Sequence, residues 1–367
     1  MKNFNEWQSL FNAQKLNDFT FDESGNVWLK IKSLMRRNIL AQFIEATGLT
    51  LQTSGINNNF KELYSLYQNG SVSTEAIDSF LRTYNSSELS KIENEFLQIE
   101  TELYKLQEFC WGGDATNSLD KQIVSFVKEI SNYDEICNKI DNEISMNTRH
   151  YTLNSWYNNW TTILTEHIFK THPKVLSAVG KIKSVDFFID NIPVDLKITY
   201  FPKEYLKSKR RELGLGNELS KLKAIARQYN IGFDNTARED ILKYQIISQI
   251  KDLNNPEAIQ QLQNLHEENL SIIASTEANK QNLIKWLYEN QGEMRFGAEN
   301  RLFLILIDEN DIENSWKLKR NFNVLKPKIK DYLDNFNRTQ IISNPIRFTF
   351  GGMSYTSCAD CVFIRVS

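Results

Sequence analysis

Two carboxylates and an ammonium that could share one small site, Asp186, Asp195 and Lys197, all lie in the stretch 180–200. Within it, Ile192, Val194, Leu196 and Ile198 alternate with Asp195, Lys197 and Thr199, the period of a half-buried strand. Asp190–Asn191 just before them is a good turn pair, because both residues tolerate positive φ. A two-residue hairpin closed there aligns Ile189 with Ile192, Phe188 with Pro193, Phe187 with Val194, and Asp186 with Asp195. Carboxylates opposed in this way, roughly 4.5–5.5 Å apart at Cβ, repel each other and want a cation between them. Lys197 points to the same face about 7 Å further along the strand. The pattern is that of a small oxygen-ligand site for a hard divalent ion with an ammonium beside it. A solvated edge hairpin with Lys197 in a cross-face ion pair is the plainer alternative. Val185, Phe187, Ile189, Val194, Leu196 and Ile198 are too apolar for it.

An acid ending one strand, a gap, then Asp/Glu-x-Lys on the next resembles the PD-(D/E)XK nuclease superfamily, to which many restriction endonucleases belong. Asp186, Asp195 and Lys197 match the motif, with Val185 where some members have proline. Members often carry a further Glu on a preceding helix. Glu166, 20 residues upstream of Asp186 on an amphipathic segment, suits that place. The resemblance covers residues 150–200.

It implies a Mg²⁺ site, with Mn²⁺ able to substitute, held by Asp186 and Asp195 with the Leu196 carbonyl as an added ligand. Glu166 would ligate a second ion or a water. Lys197 would orient or help deprotonate the attacking water and offset phosphate charge. Mg²⁺ keeps several waters, which suits two or three protein oxygens.

The 367 residues suffice for two domains, or one with large additions, and 41% hydrophobic with 24% charged residues is ordinary for a globular chain. A net charge of −3 excludes a histone-like mass binder but leaves room for a local basic face. The four cysteines, Cys110, Cys137, Cys358 and Cys361, form no disulfide framework and suit a reducing cytoplasm. Cys358-Ala-Asp-Cys361 lacks a second ligand pair at zinc spacing and reads as packing near a terminal strand. No apolar leader, membrane-length run or Walker-type phosphate loop occurs, so the expectation is a cytoplasmic protein that drives no ATP motor.

In chain order, residues 1–145 read as helical. Val27 to Leu49 reads as one amphipathic helix with Lys30, Lys32, Arg36 and Arg37 along a solvated face. Leu89, Ile92, Phe96, Ile99, Leu103, Leu106 and Cys110 form an apolar seam, and Ile123 through Ile144 a second. With Gly112–Gly113 between them they predict an antiparallel helical hairpin, in preference to a dimerisation arm. His150, just ahead of the Glu166 helix, could be a base or a DNA contact. Residues 203–227 hold eight Lys or Arg against three Glu. Lys207, Lys209, Arg210, Arg211, Lys221, Lys223 and Arg227 are therefore candidate phosphate contacts, with a solvated helical face as the alternative. From Glu218 the text resembles the helix–extended–helix nucleic-acid modules of the SAP and Rho N-terminal type. Arg301 to Asp308 is a continuous apolar run bounded by charge, the mark of a strand buried on both faces. Residues 314–335 read as a helix that Pro327 breaks or kinks, followed by strands around Gly351–Gly352.

The expected fold class is α/β: an α+β mixed sheet flanked by helices, with a restriction-endonuclease-like core and a large helical N-terminal region. The expected division is a helical domain at 1–145, a nuclease core at 146–202 and 281–367, and a helical insertion at 203–280. The leading function is a Mg²⁺-dependent endonuclease acting on double-stranded DNA, of type II restriction or other prokaryotic defence kind, where cutting both strands favours a homodimer. Its rivals are a same-fold nuclease for RNA or repair intermediates, and a non-catalytic nucleic-acid-binding scaffold.

Overall fold

The computed structural model describes residues 2–13, 15–109, 116–182, 185–237, 239–290 and 299–367. The fold is α/β. Five strands form a mixed sheet: β1 (Val175–Ile182), β2 (Val185–Ile189), β3 (Ile192–Tyr200), β4 (Arg301–Asp308) and, after two others, β7 (Asp360–Val366). The intervening β5 (Ile346–Phe350) and β6 (Met353–Ser357) pair only with each other. The order is β1-β2-β3-β4-β7, antiparallel through β3 and parallel from β3 to β7.

The apolar run at 301–308 is explained by its place. As the strand between β3 and β7, β4 sends Leu302, Leu304 and Leu306 into one core and Phe303, Ile305 and Ile307 into another. The first core is closed by Leu164 and Ile168 of helix Ser145–Lys170 and by Leu325, Ile329 and Leu333 of helix Phe322–Asp334. The second is closed by Tyr205 and Leu206 of Lys203–Glu212, by Ile272 and Ile273 of Pro256–Ala278, and by Leu283, Ile284 and Leu287 of Lys280–Asn290. Residues 203–280 are thus the helical crossover between two parallel strands, and the ends of that segment cover the sheet. Its middle has a small core of its own, built by Leu222, Ile225, Leu242, Ile246 and Ile250 of helices Glu218–Gln228 and Glu239–Asp252.

The N-terminal helices pack on the outer part of the same sheet. Leu176, Ile182, Val185 and Phe188 share a core with Trp7, Phe19, Trp28, Phe43 and Leu81. Contact is close at Gly180 in β1, where an added Cβ would lie 2.1 Å from the Ser33 carbonyl oxygen. Only a glycine backbone fits there.

Several sequence-based expectations change. The helix expected over 27–49 is two helices, Glu23–Ser33 and Arg37–Thr47, because Arg36 takes an extended conformation. Lys30 is not on a solvated face: it is buried, its ammonium 2.7 Å from Asp78 and 2.8 Å from the Asn191 side chain. Lys32 lies over the rings of Phe11, Trp28 and Phe60.

The two apolar seams do not pair. Phe96, Leu103 and Leu106 enter the core beneath the sheet, beside the helix Ser145–Lys170. The second seam is broken between Thr116–Glu129 and Tyr133–Lys139, and Tyr133 and Ile140 are exposed. A sheet face buries more apolar area than a partner seam, and it takes the first helix. Cys110 and Gly112–Gly113 lie outside the described residues. Pro327 neither breaks nor ends its helix, which runs through it to Asp334. Cys358 and Cys361 are buried free thiols, and burial pushes the Cys358 thiol up to about 11, consistent with packing.

Candidate active site

The hairpin that carries the acids closes as its sequence requires. Asp190 and Asn191 take φ of 44° and 66°, the left-handed pair of a tight two-residue turn. Phe187 faces Val194, Phe188 faces Pro193 and Ile189 faces Ile192. The regular pairing stops there. Asp186 and Asp195 are not a simple cross-strand pair: Val185 turns to Ile182 of β1, and Asp186 Oδ2 accepts the Leu196 backbone N–H at 2.8 Å. A carboxylate oxygen thus accepts a backbone N–H of β3 where the regular pairing has ended.

Three acids converge around this point. Asp186 is brought in by β2, Asp195 by the buried half of β3, and Glu166 by the last turns of Ser145–Lys170, whose Leu164 and Ile168 anchor it on the sheet. Burial, then the negative charges of Glu166 and Asp195, push the Asp186 carboxyl up to about 6. The Leu196 N–H and Lys197 oppose this only in part.

Each of the other two acids has an internal cation. Glu166 Oε2 lies 2.5 Å from Lys170 Nζ, one helical turn on. Asp195 is held on both sides, with Oδ1 2.8 Å from Lys197 Nζ and Oδ2 3.5 Å from Arg301 Nε. The Lys197 side chain is 47% exposed and that of Asp195 only 9%, so the ammonium faces solvent over a buried carboxylate. The Leu196 side chain is buried in the core, and its N–H is spent on Asp186.

Sequence reasoning missed Arg301, Glu299 and Lys170. The Glu166–Lys170 spacing was readable as a helical ion pair. Arg301 could be placed only once β4 was known to lie parallel beside β3, with Arg301 opposite Asp195.

Among the described residues no three His, Cys, Asp or Glu side chains are gathered tightly enough to hold a metal ion as they stand. The donor chemistry nevertheless fits a hard divalent ion: carboxylate oxygens, no thiolate or imidazole, and an Asp186 carboxyl that burial and two neighbouring acids push up to about 6.

Burial and the neighbouring charges also fix a stability effect. Asp186 binds its proton more tightly in the folded chain than unfolded, where its value is 3.8. Ionising it therefore costs stability as pH rises from about 4 through about 6, and the full cost is present above that window. Asp186→Asn keeps an oxygen for the Leu196 N–H and removes the charge. At pH 8 in EDTA it should be more stable than the parent by about 1–2 kcal/mol, with no gain at pH 4, in urea titrations.

The predicted basic surface is only partly a surface. Arg210 is buried and bonds to Asn269, Glu268 and the Gly216 carbonyl, so it is no phosphate contact. A helix packed on two neighbours has to bury some face, and here Arg210 lies on it. Lys207 pairs with Glu204 and Glu239, Lys209 with Glu212, and Lys221 with Glu268. Lys223 and Arg227 lie over the Phe233 ring, and Arg211 is exposed. His150 is half-buried. Two clefts among the described residues lie apart from the acids. One of about 450 Å³ is beside Lys280, Tyr332 and Asp360, and one of about 470 Å³ is beside Phe21, Lys30 and Arg338.

No family model, no curated protein and no solved structure matches this chain. Among the described residues no helix is long and apolar enough to cross a membrane.

Proposed function

We propose that this chain is a Mg²⁺-dependent endonuclease that hydrolyses DNA phosphodiester bonds, with Asp186, Asp195, Glu166 and Lys197 as its site. The observation that carries the reading is the convergence of three carboxylates and a solvent-facing lysine where β2 and β3 part. A structural ion-pair network needs no acid kept in unfavourable proximity to two others. A site that stabilises a divalent ion does.

Hydrolysis adds a water oxygen to phosphorus, breaks the bond to the leaving sugar oxygen and moves one proton from that water to the leaving group. Asp186 and Asp195 would hold the ion, with Glu166 reaching it directly or through a water. When bound, Mg²⁺ supplies charge stabilisation at the phosphoryl oxygen and lowers the pKa of water. Lys197 is long, half-exposed and tied to Asp195 only at its tip. Its ammonium can leave that carboxylate, hydrogen-bond the incoming water or a phosphoryl oxygen, and offset developing charge. The Leu196 N–H fixes one oxygen of Asp186 and thereby aims the other. The exposed Lys197 side chain beside the buried Asp195 suits a substrate that meets the site from the surface.

Substrate class is tested by offering supercoiled plasmid, linear duplex, single-stranded DNA and structured RNA to the protein with Mg²⁺. Discrete duplex products support the restriction reading. A smear retains a DNA nuclease without sequence choice, and cleavage of RNA alone contradicts the DNA assignment.

A further inference from the structure

We propose that Arg301 is a positioning residue of the site, one that fixes the orientation of Asp195 and sets how tightly the site takes a divalent cation. The proposal rests on the nuclease reading above and extends it to a residue outside the Asp-x-Lys motif. The starting observation is that Asp195 carries two cations of different character. Lys197 is free to leave. Arg301 is not: its side chain is 12% exposed, and its Nη2 is 2.7 Å from the carboxylate of Glu299, whose side chain is 2% exposed. Its guanidinium also lies 5.2 Å from the centre of the Tyr288 ring. The Tyr288 hydroxyl accepts the Arg301 backbone N–H at 3.0 Å and donates to the Glu299 carbonyl at 2.6 Å. One ring therefore supports both the backbone and the side chain of this residue.

The register explains why the arginine meets the acid. β3 and β4 run parallel with Asp195 opposite Arg301, and the Asp195 N–H donates to the Asn300 carbonyl at 2.9 Å. Asn300 is fixed in turn: its side-chain amide donates to Thr20 Oγ1 at 2.7 Å and to the Pro193 carbonyl at 3.0 Å. Three consecutive residues, 299–301, are thus held while their middle carbonyl and last side chain address Asp195.

Arg301 Nε lies 3.5 Å from Asp195 Oδ2, yet among the described residues it is a buried donor without a hydrogen-bond partner. An N–H so placed attracts the carboxylate by charge while the alignment of a full bond is absent. Two consequences follow. While Arg301 faces Oδ2, Oδ1 is the oxygen that a metal can take once Lys197 leaves, which makes Asp195 a one-oxygen ligand. The fixed positive charge also weakens cation binding, so the affinity of the site is set against a charge that no substrate can displace. Lysine cannot reproduce this arrangement, because one ammonium does not bridge Asp195 and Glu299 with the geometry of a planar fork.

The test is Mn²⁺ binding followed by the electron paramagnetic resonance of the free ion, a readout independent of cleavage, with Mg²⁺-dependent cleavage measured beside it. Arg301→Gln should bind Mn²⁺ roughly tenfold more tightly, because a unit charge has gone from beside a ligand. The same variant should cleave at least about tenfold more slowly at saturating metal, because Asp195 is no longer aimed. Arg301→Lys should bind Mn²⁺ like the parent yet still show reduced kcat with unchanged KM. If Arg301→Gln does not fold, because buried Glu299 loses its bond to Arg301, the double variant Glu299→Gln/Arg301→Gln replaces it. Tighter Mn²⁺ binding is expected there too. Mn²⁺ affinity unchanged in the folded Gln variant overturns the proposal and leaves the nuclease reading standing. A folded parent that binds no Mn²⁺ overturns the nuclease reading, and the proposal with it.

Discussion

Lys197→Ala is expected to lose at least about 100-fold in Mg²⁺-dependent cleavage while its folding and DNA binding stay near those of the parent. The size follows from the place of the ammonium: among the described residues at the acids, Lys197 is the cation that lies 2.8 Å from a carboxylate with a side chain 47% exposed. Removal of such a charge falls on the transition state, where phosphoryl charge develops, more than on the ground state. Folding survives because an exposed pair contributes roughly 0–1 kcal/mol and Asp195 still faces Arg301. The measurement is single-turnover cleavage at saturating protein, set beside a thermal melt and an anisotropy titration with labelled duplex. The scaffold reading predicts no change in any of the three, so the comparison separates the two classes.

The second large effect lies far from the chemistry. Arg210→Ala should destabilise the fold by about 3 kcal/mol, because it removes a buried guanidinium and strands the groups it serves. Arg210 has 1% of its surface exposed and donates to Asn269 Oδ1 and to Glu268 Oε2, each at 2.6 Å, and to the Gly216 carbonyl at 3.1 Å. Glu268 keeps Lys221 at 2.8 Å, which limits the loss, but Asn269 and Gly216 lose their donor. Denaturant titration should show the midpoint falling with an unchanged slope. Below the transition the variant should bind duplex DNA like the parent, whereas a phosphate-contacting arginine would show weaker binding and a shallower salt dependence. Arg211, its exposed neighbour, is the control: Arg211→Ala should leave stability within about 0.5 kcal/mol.

The contrast between these adjacent arginines shows where the sequence was legible. Alternation in Ile192 to Ile198, the Asp190–Asn191 pair and the apolar run at 301–308 are local signals. Each became the expected strand or turn, with the pairing of 187–189 to 192–194 as read. Local patterns state what a segment is and leave open what it packs against. Burial of Arg210 or Lys30 depends on helices remote in the chain, Pro256–Ala278 for one and Thr74–Leu103 for the other. The seam at 89–106 was visible, but its choice of the sheet over the second seam was a competition between surfaces that spacing alone does not rank. At the site the same limit applies. Asp186, Asp195 and Lys197 lie within 12 positions and could be grouped by register, and Glu166 by likeness to a nuclease pattern. Arg301 is more than a hundred positions from Asp195 and meets it only because a helical crossover returns the chain to a parallel neighbour.

The three acids and Lys197 are proposed to make a divalent-ion-dependent phosphodiesterase. The most direct measurement is incubation of supercoiled plasmid with the parent protein in Mg²⁺ from pH 5 to 8.5, with EDTA and Asp195→Asn as controls. Nicked or linear products that need Mg²⁺ and vanish with the variant are the expected result. Cleavage that persists in EDTA or in a folded Asp195→Asn protein would contradict it, as would a folded parent that cuts no nucleic acid at any pH.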